Sequence, residues 1–166
     1  VTRTGPWTWH GWQQSIEDAM IESFTKSMQG DAPTPEEVEA IIAYLDSLQR
    51  PRNPFVAPDG SISEAAQRGR TVFNSDRAAC NTCHSGPEFT DGGVYLVGLE
   101  EPRDVYDGYN PPSLLGLYDS APYLHDGRAA TLHEVLTEDH APDLVTGLGD
   151  LTEQELSDLI EYLKPL

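Results

Sequence analysis

The amino-acid sequence predicts a mostly α-helical protein with long loops. Two segments, residues 34–45 and 152–163, each begin with Thr and carry Glu three residues later, which is the capping box typical of a helix start. Apolar residues follow in both segments at spacings of three and four, as on one face of a helix. Strand-like alternation is weak throughout, and 13 prolines and 14 glycines indicate many turns.

Three further helices are predicted along the chain. The first contains Met20 on an apolar stripe with Ile16 and Phe24, so core packing is the default role of this methionine. The second covers residues 63–74, and the third lies near residues 131–139. These helices complete the prediction of a helical protein whose remaining residues form loops.

A linker precedes the helix at 63–74. Residues 48–61, "LQRPRNPFVAPDGS", combine prolines, an Asp-Gly turn and no periodicity, which is typical of a connecting segment. On the helix that follows, Ala66, Gly69 and Phe73 share one face. Because Gly69 has no side chain, it would let another helix cross closely at this position.

The chain contains two pairs of similar segments. "TPEEVEAIIAYL" at 34–45 matches "TEQELSDLIEYL" at 152–163, and "WTWHGWQQSIEDAM" at 7–20 matches "YLHDGRAATLHEVL" at 123–136. Both pairs occur in the same order and at nearly the same offset. Amphipathic helices resemble each other by chance, but chance does not explain a shared glycine, shared caps and shared spacing. The sequence therefore predicts an internal duplication.

Charge and hydropathy exclude two classes of function. A formal net charge of −18 argues against nucleic-acid binding, which requires a basic surface. It suits either a protein partner with a basic patch or an acidic surface that only contacts water. No apolar run approaches the roughly 20 residues of a membrane helix, so no transmembrane segment is predicted. The first residues lack an initiator Met and a signal-peptide pattern, so the chain is interpreted as a processed or excised piece.

The only two cysteines lie in one short motif. Cys80, Cys83 and His84 form the pattern C-x-x-C-H, which is the attachment sequence of c-type haem. On one helical turn these residues share a face, so both thiols can bond to the vinyl groups of one porphyrin while His84 binds the iron. A thioredoxin-like redox pair would need a βαβ context, and a zinc site would need a second ligand pair. The sequence offers neither.

The motif belongs to a longer pattern. "AAQRGRTVFNSDRAACNTCHSGPEFTDG", "PPSLLGLYDSAPYLHDGRAATLHEVL" and "LTEQELSDLIEYL" resemble the C-terminal haem domain of the bacterial di-haem cytochrome c peroxidase and MauG-like family over residues 63–163. The resemblance implies a cytochrome c fold in which residues 63–74 cross residues 152–164 at Gly69. It also implies that Pro112 and Leu114 line the haem pocket and that His84 is the proximal ligand.

The resemblance also divides the chain into domains. Residues 7–48 are similar to the back half of the preceding haem domain of the same family. Residues 1–50 are therefore interpreted as the rear half of a second cytochrome c domain that lacks its own C-x-x-C-H, with a linker to about residue 61. Residues 62–166 are the cytochrome c domain with one covalent haem. The parent protein would then carry at least two haems.

The second axial ligand of the iron departs from the family pattern. The family has Met or Tyr at the position that is Asp139 here, and His140 comes next. His140 continues the apolar stripe of Leu132 and Leu136, which points it toward the core and makes it a candidate distal ligand. Alternatively, it is a helix-end histidine in solvent or paired with a neighbouring aspartate. Met28 is a second candidate, either for this iron or for a haem of the first repeat.

Further residues are predicted near the haem. His125 precedes an Asp-Gly turn and could hydrogen-bond a haem propionate or a backbone carbonyl. Arg128 could pair with a propionate, although a solvated arginine is an equal alternative. His133 lies off the apolar stripe and is interpreted as a surface residue. Family members bind calcium between domains, so calcium is possible here, with no ligands assigned.

These features predict an electron carrier. One covalent haem with two axial ligands changes oxidation state only, as in an electron-transfer module of a larger multi-haem protein. The alternative is a peroxidase-like di-haem enzyme, for hydrogen peroxide reduction or MauG-like oxidation, of which this chain is the electron-relay half. A sensor domain is a third possibility that no residue singles out. The family implies an extracytoplasmic, periplasmic location, and the partner would be a redox protein or the adjacent haem domain.

Overall fold

The computed structural model describes residues 2–166 and confirms a mostly helical protein. Residue 1, the first of the predicted segment 1–50, lies outside the described residues. The helices, in chain order, are α1 (Ile16–Glu22), α2 (Pro35–Ser47), α3 (Glu64–Phe73), α4 (Leu132–Glu134), α5 (Pro142–Thr146) and α6 (Glu153–Leu163). Between residues 2 and 166 there is no extended strand, and the three antiparallel bridges are isolated residue pairs.

The predicted crossing of α3 and α6 is the main helix contact of the fold. At Gly69 the two backbones approach so closely that a Cβ atom would lie 1.8 Å from the carbonyl oxygen of Asp158. No side chain fits at that distance, so the crossing requires glycine. Arg68 lies one residue earlier and binds the Asp158 carboxylate with Nε and Nη2, both at 2.7 Å.

Side-chain caps fix the start of each long helix where the sequence predicted it. Thr152 Oγ1 accepts a hydrogen bond from the backbone N–H of Glu155, and the Glu155 side chain accepts one from Thr152 N–H. α2 begins with the same reciprocal pair, Thr34 and Glu37. Each pair satisfies N–H groups that a helix start leaves without partners.

The core lies between α3, α6 and the segment around α4. Leu159 is fully buried at its centre, and Phe73 packs edge-on against Tyr162 with ring centroids 5.3 Å apart. The other buried members are Ala66, Leu114, Leu132, Leu136 and Leu163. This core holds the two ends of the cytochrome-like segment together and leaves a pocket beside it.

The segment before α1 packs against the loop that precedes the pocket. The backbone N–H of Asn110 donates to Trp9 O at 2.7 Å, and the Asn110 side chain donates to Pro6 O. His10 Nδ1 lies 2.7 Å from Gly108 O. These bonds tie the first segment of the chain to the second unit.

The two similar segments adopt the same local structure. Trp7 pairs with Gln13 in one antiparallel bridge, as Tyr123 pairs with Ala129 in another. Each bridge closes a tight loop that contains a glycine with positive φ, +66° at Gly11 and +72° at Gly127. The internal duplication predicted from the sequence is therefore present in the backbone.

The helices that follow these loops also match. Ser15 caps α1 and Thr131 caps α4 through bonds to the third residue on. Each helix then widens into a π-helical turn, Ser23–Ser27 in the first repeat and Val135–Asp139 in the second. The sequence predicted one α-helix near 131–139, so the π-helical turn and the short helix α5 correct that prediction.

Candidate functional site

A deep apolar pocket lies between the C-x-x-C-H motif and α4. It encloses about 1220 Å³ of space outside protein atoms, part of which is open to solvent. Its walls are mostly apolar, and the side chains behind them belong to the core described above. The apolar members include Phe73, Leu99, Leu114, Leu132, Leu136 and Leu163.

The two cysteines line this pocket from a 3₁₀ turn, Cys80–Thr82. The sequence predicted one α-helical turn here. The structure shows a tighter turn, in which the Cys83 N–H donates to Cys80 O, and the His84 N–H adds an α-type bond to the same oxygen at 2.9 Å. Burial raises the pKa of the Cys80 thiol to about 11 and also raises the pKa of Cys83. Both thiols therefore stay protonated at neutral pH.

His84 lies on the same wall and has a defined tautomer. Its Nδ1 lies 3.2 Å from the backbone oxygen of Phe89. A carbonyl oxygen only accepts hydrogen bonds, so Nδ1 carries the proton and Nε2 has a free lone pair. Burial lowers the pKa of His84. The ring is therefore neutral at pH 7, which is the state that binds a metal ion.

His140 lies on the pocket wall at the end of the π-helical turn. Its backbone N–H donates to Val135 O at 2.8 Å. Its Nδ1 is buried without a hydrogen-bond partner among residues 2–166. Burial, and secondarily the charge of His84, lower the pKa of His140 to about 4. Two neutral imidazoles thus line one pocket.

Three more predicted residues line the pocket, namely Pro112, Leu114 and His125. His125 Nε2 lies 3.3 Å from Tyr109 Oη, and the indole of Trp9 contacts the His125 ring edge-on at 6.3 Å between centroids. The His125 Nδ1 atom is buried and has no hydrogen-bond partner in the described chain. His125 is thus a pocket residue with one occupied and one free ring nitrogen.

Arg128 is not among the residues that line the pocket. Its guanidinium binds Asp126 at 2.7 Å and Glu101 at 2.6 Å, and lies 3.7 Å from Asp139. The sequence predicted either a haem propionate or solvent as the partner of Arg128. The structure instead places three carboxylates around it, and the bonds to Asp126 and then Glu101 raise the pKa of Arg128.

Met28 also lies away from this pocket. Its side chain is 64% exposed, and it ends the π-helical turn of the first repeat. Within residues 2–166, no group of three or more His, Cys, Asp or Glu side chains is arranged to hold a metal ion. Calcium therefore has no assigned site in the described chain.

Trp9 and Tyr109 are among the pocket residues that sequence reasoning missed. Trp9 comes from the first repeat, and its place in the pocket depends on a contact between residues a hundred positions apart in the chain. Tyr109 lies three residues before Pro112, which was predicted to line the pocket. That closeness in sequence was the one available sign that Tyr109 is a pocket residue. Its side chain is 5% exposed and bonds to Asp104 Oδ2 at 2.6 Å.

The pocket fits a c-type haem. The C-x-x-C-H thiols lie on one wall, and apolar side chains suited to a porphyrin cover most of the rest. The unpartnered Nδ1 of His140 and the free Nε2 of His84 are donor atoms that a metal could satisfy. The residues present therefore agree with the group that the sequence motif predicts.

Comparisons with known proteins agree with this site. The model of a family described as RoxA-like, cytochrome c-like, matches residues 108–145, which cover much of the pocket wall. The chain is 29% identical to the gamma subunit of hydrazine synthase from Kuenenia stuttgartiensis, over 80% of the chain and 50% of that subunit. It is 30% identical to the methylamine utilization protein MauG of Methylophilus methylotrophus, over 86% of the chain and 50% of MauG.

A solved structure has the same fold. A chain of Kuenenia stuttgartiensis hydrazine synthase superimposes with a TM-score of 0.80 at 25% sequence identity, over 98% of this chain and 68% of that chain. This chain spans about half the length of the curated relatives it matches. No helix among residues 2–166 is long and apolar enough to cross a membrane.

Proposed function

Because the chain belongs to the MauG-like di-haem cytochrome c peroxidase family, we propose that it carries electrons through one haem attached at Cys80 and Cys83. One observation carries the proposal: two partly buried, neutral imidazoles, His84 and His140, line the same apolar pocket as both thiols. Two imidazole nitrogens bound to the iron would leave it no open position, which suits electron transfer rather than substrate binding.

Each pocket residue has a role in this proposal. When bound, the haem supplies an iron that changes oxidation state by one electron. The Phe89 carbonyl holds the His84 ring through Nδ1, so that Nε2 would be the atom that binds the iron. Pro112 and Leu114 exclude water from the haem face. His140 would supply a second nitrogen to the iron, and the π-helical turn sets its place on the pocket wall.

Substitution of His140 by alanine tests the axial assignment. The wild-type protein is expected to give low-spin absorption and EPR spectra in the ferric state, because two imidazoles bind the iron. His140→Ala opens one position, so its ferric spectrum becomes high-spin and the protein binds cyanide rapidly.

His133→Ala is the matched control, because His133 lies on the neighbouring helix turn with an exposed side chain. It should leave the spectrum unchanged. A His140→Ala protein that keeps the wild-type low-spin spectrum would eliminate His140 as the ligand.

We further propose that residues 1–50 are the rear half of a preceding haem domain, so that the chain is a module of a multi-haem protein. The repeat supports this proposal, because the loop, cap and π-helical turn before His140 recur before Met28. Met28 is then the counterpart of His140, and its thioether is a candidate ligand for the haem of that domain. In a full-length parent protein, at least two covalent haems are expected.

A peroxidase-like enzyme is the second candidate, and similarity to MauG favours it. In that case this chain is the electron-relay half of a di-haem enzyme for hydrogen peroxide reduction or MauG-like oxidation. Turnover of peroxide with a reduced donor by the chain alone would contradict the relay role. Its location is proposed to be the periplasm, where its partner is a redox protein or the adjacent haem domain.

A further inference from the structure

A chain of hydrogen bonds leads away from the pocket wall through Tyr109. The Tyr109 hydroxyl lies 2.6 Å from Asp104 Oδ2, 3.2 Å from the backbone oxygen of Leu99 and 3.3 Å from His125 Nε2. Tyr109 is buried, and both Tyr109 and His125 line the pocket. The electron-transfer role proposed above uses none of these bonds.

The donor in each hydrogen bond of the Tyr109 hydroxyl follows from which groups carry a proton. The Asp104 carboxylate and the Leu99 carbonyl only accept, so the single hydroxyl proton of Tyr109 points toward them. The proton in the bond between Tyr109 and His125 must therefore belong to His125 Nε2. A neutral His125 then has a bare lone pair on Nδ1, and this atom is buried without a hydrogen-bond partner among residues 2–166.

The neighbouring groups keep this arrangement at neutral pH. The backbone N–H of Glu101, and then the Tyr109 hydroxyl, lower the pKa of Asp104, so its carboxylate stays ionised. Burial, and then the bond to Asp104, raise the pKa of Tyr109, so its phenol keeps its proton. The ionised Asp104 carboxylate thus lies one hydrogen-bonded residue from the His125 ring and interacts with it electrostatically.

We propose that His125 is the proton-binding site of the pocket, taking up one proton at Nδ1 when the iron is reduced and releasing it when the iron is oxidised. The inference rests on the proposed haem site. An iron that has gained an electron carries one positive charge less, so a positive imidazolium nearby is repelled less. One proton comes from water as one electron comes from the donor, and no covalent bond between heavy atoms forms or breaks.

Titratable and charged groups near His125 lie on its own turn and around Tyr109. On its own turn lie Asp126, whose carboxylate interacts with the His125 ring, and Arg128, which is held by its own carboxylates. Across the pocket loop and the first segment lie Glu100, Asp104, Tyr109 and His10. His10 Nε2 lies 3.9 Å from Asp104 Oδ1 and is the one other histidine of this network.

The test is the reduction potential of the haem protein as a function of pH, measured by spectroelectrochemical titration. In the wild type the potential should fall with rising pH, approaching about 59 mV per pH unit for one proton per electron. His125→Asn should flatten this slope, because asparagine binds no proton. His133→Asn is the matched surface control and should keep it.

A second variant keeps the inference testable if His125→Asn does not fold. Asp104→Asn can still accept a bond from Tyr109 but removes the negative charge, so the sloping interval should move to lower pH. A wild-type slope retained in His125→Asn, or an interval unmoved in Asp104→Asn, would overturn the inference and point to a haem propionate. The haem spectrum separates this result from failure of the haem site, because an attached, reducible haem establishes that site independently.

Discussion

At the scale of single residues, the Arg68–Asp158 pair shows how one carboxylate is kept ionised next to a helix crossing. The Asp158 side chain is 6% exposed, while the guanidinium of Arg68 is 55% exposed. The bidentate bond, and a further bond from Gln154 at 3.0 Å, lower the pKa of Asp158. The pair therefore stabilises the fold only where Asp158 is ionised.

Arg68→Met should lower the free energy of unfolding at pH 7, because it leaves the Asp158 carboxylate with Gln154 as its one remaining side-chain partner. The pair contributes above the unfolded pKa of aspartate, about 3.9, and its contribution is lost as pH falls through the lower folded value. The difference between wild type and variant should therefore shrink below about pH 4. Urea unfolding at several pH values measures it.

Arg50 offers a matched control for this substitution. It pairs with Glu88 at 2.7 Å, and its side chain is more than half exposed. Arg50→Met should change stability by less than about 1 kcal/mol. An equal loss of stability in Arg50→Met and Arg68→Met would mean that the Arg68–Asp158 pair contributes no more than an exposed ion pair.

At the scale of helices, the crossing of α3 and α6 depends on the missing side chain of Gly69. The Cβ of an alanine there would meet the Asp158 oxygen, its carbonyl carbon at 2.5 Å and the Tyr162 Cβ at 2.8 Å. Backbone atoms cannot swing aside as a flexible side chain would. The two helices would have to separate, which would open the core around Leu159.

Gly69→Ala should therefore cost about 3 kcal/mol or more of stability. Gly30→Ala is the control, because its Cβ would meet only the Phe24 oxygen at an ordinary 3.5 Å. Thermal and urea unfolding of both variants measures the difference. A Gly69→Ala protein as stable as the Gly30→Ala protein would show that the crossing tolerates a methyl group.

Sequence reasoning succeeded where local chemistry fixes the residues. The short spacing of Cys80, Cys83 and His84 brings them to one pocket, and the caps of α2 and α6 depend on four consecutive residues. It placed His140 near the pocket from an apolar stripe, although the turn proved π-helical rather than α-helical. Tyr109 and Trp9 come from irregular segments without periodicity, and only long-range contacts bring them to the pocket.

At the scale of the whole molecule, acidity is the dominant property. The formal net charge of −18 produces a negative field that attracts basic partners and repels acidic ones. Screening shortens the reach of this field from about 30 Å at 0.01 M salt to about 10 Å at 0.1 M. Association with a redox partner should therefore depend strongly on ionic strength.

Electron exchange with a basic single-haem cytochrome c as probe should slow about tenfold or more between 0.01 M and 0.5 M salt. Stopped-flow absorption at several ionic strengths measures the rate. A small neutral redox dye is the control, and its rate should change little. A rate that rises with salt would show that the surface around the haem is not acidic.

The close approach of Gly69 and Asp158 also sets an order of assembly. The contact joins α3 to α6, and the paired residues Arg68 and Asp158 are 90 positions apart in the chain. Loops of that length close slowly because ordering them is entropically costly. Both thiols and His140 lie inside this loop. We expect the cofactor to be attached while the loop is open, so that its apolar face becomes the surface on which the His140 wall folds. The prosthetic group would then act as a folding nucleus before it acts as an electron carrier.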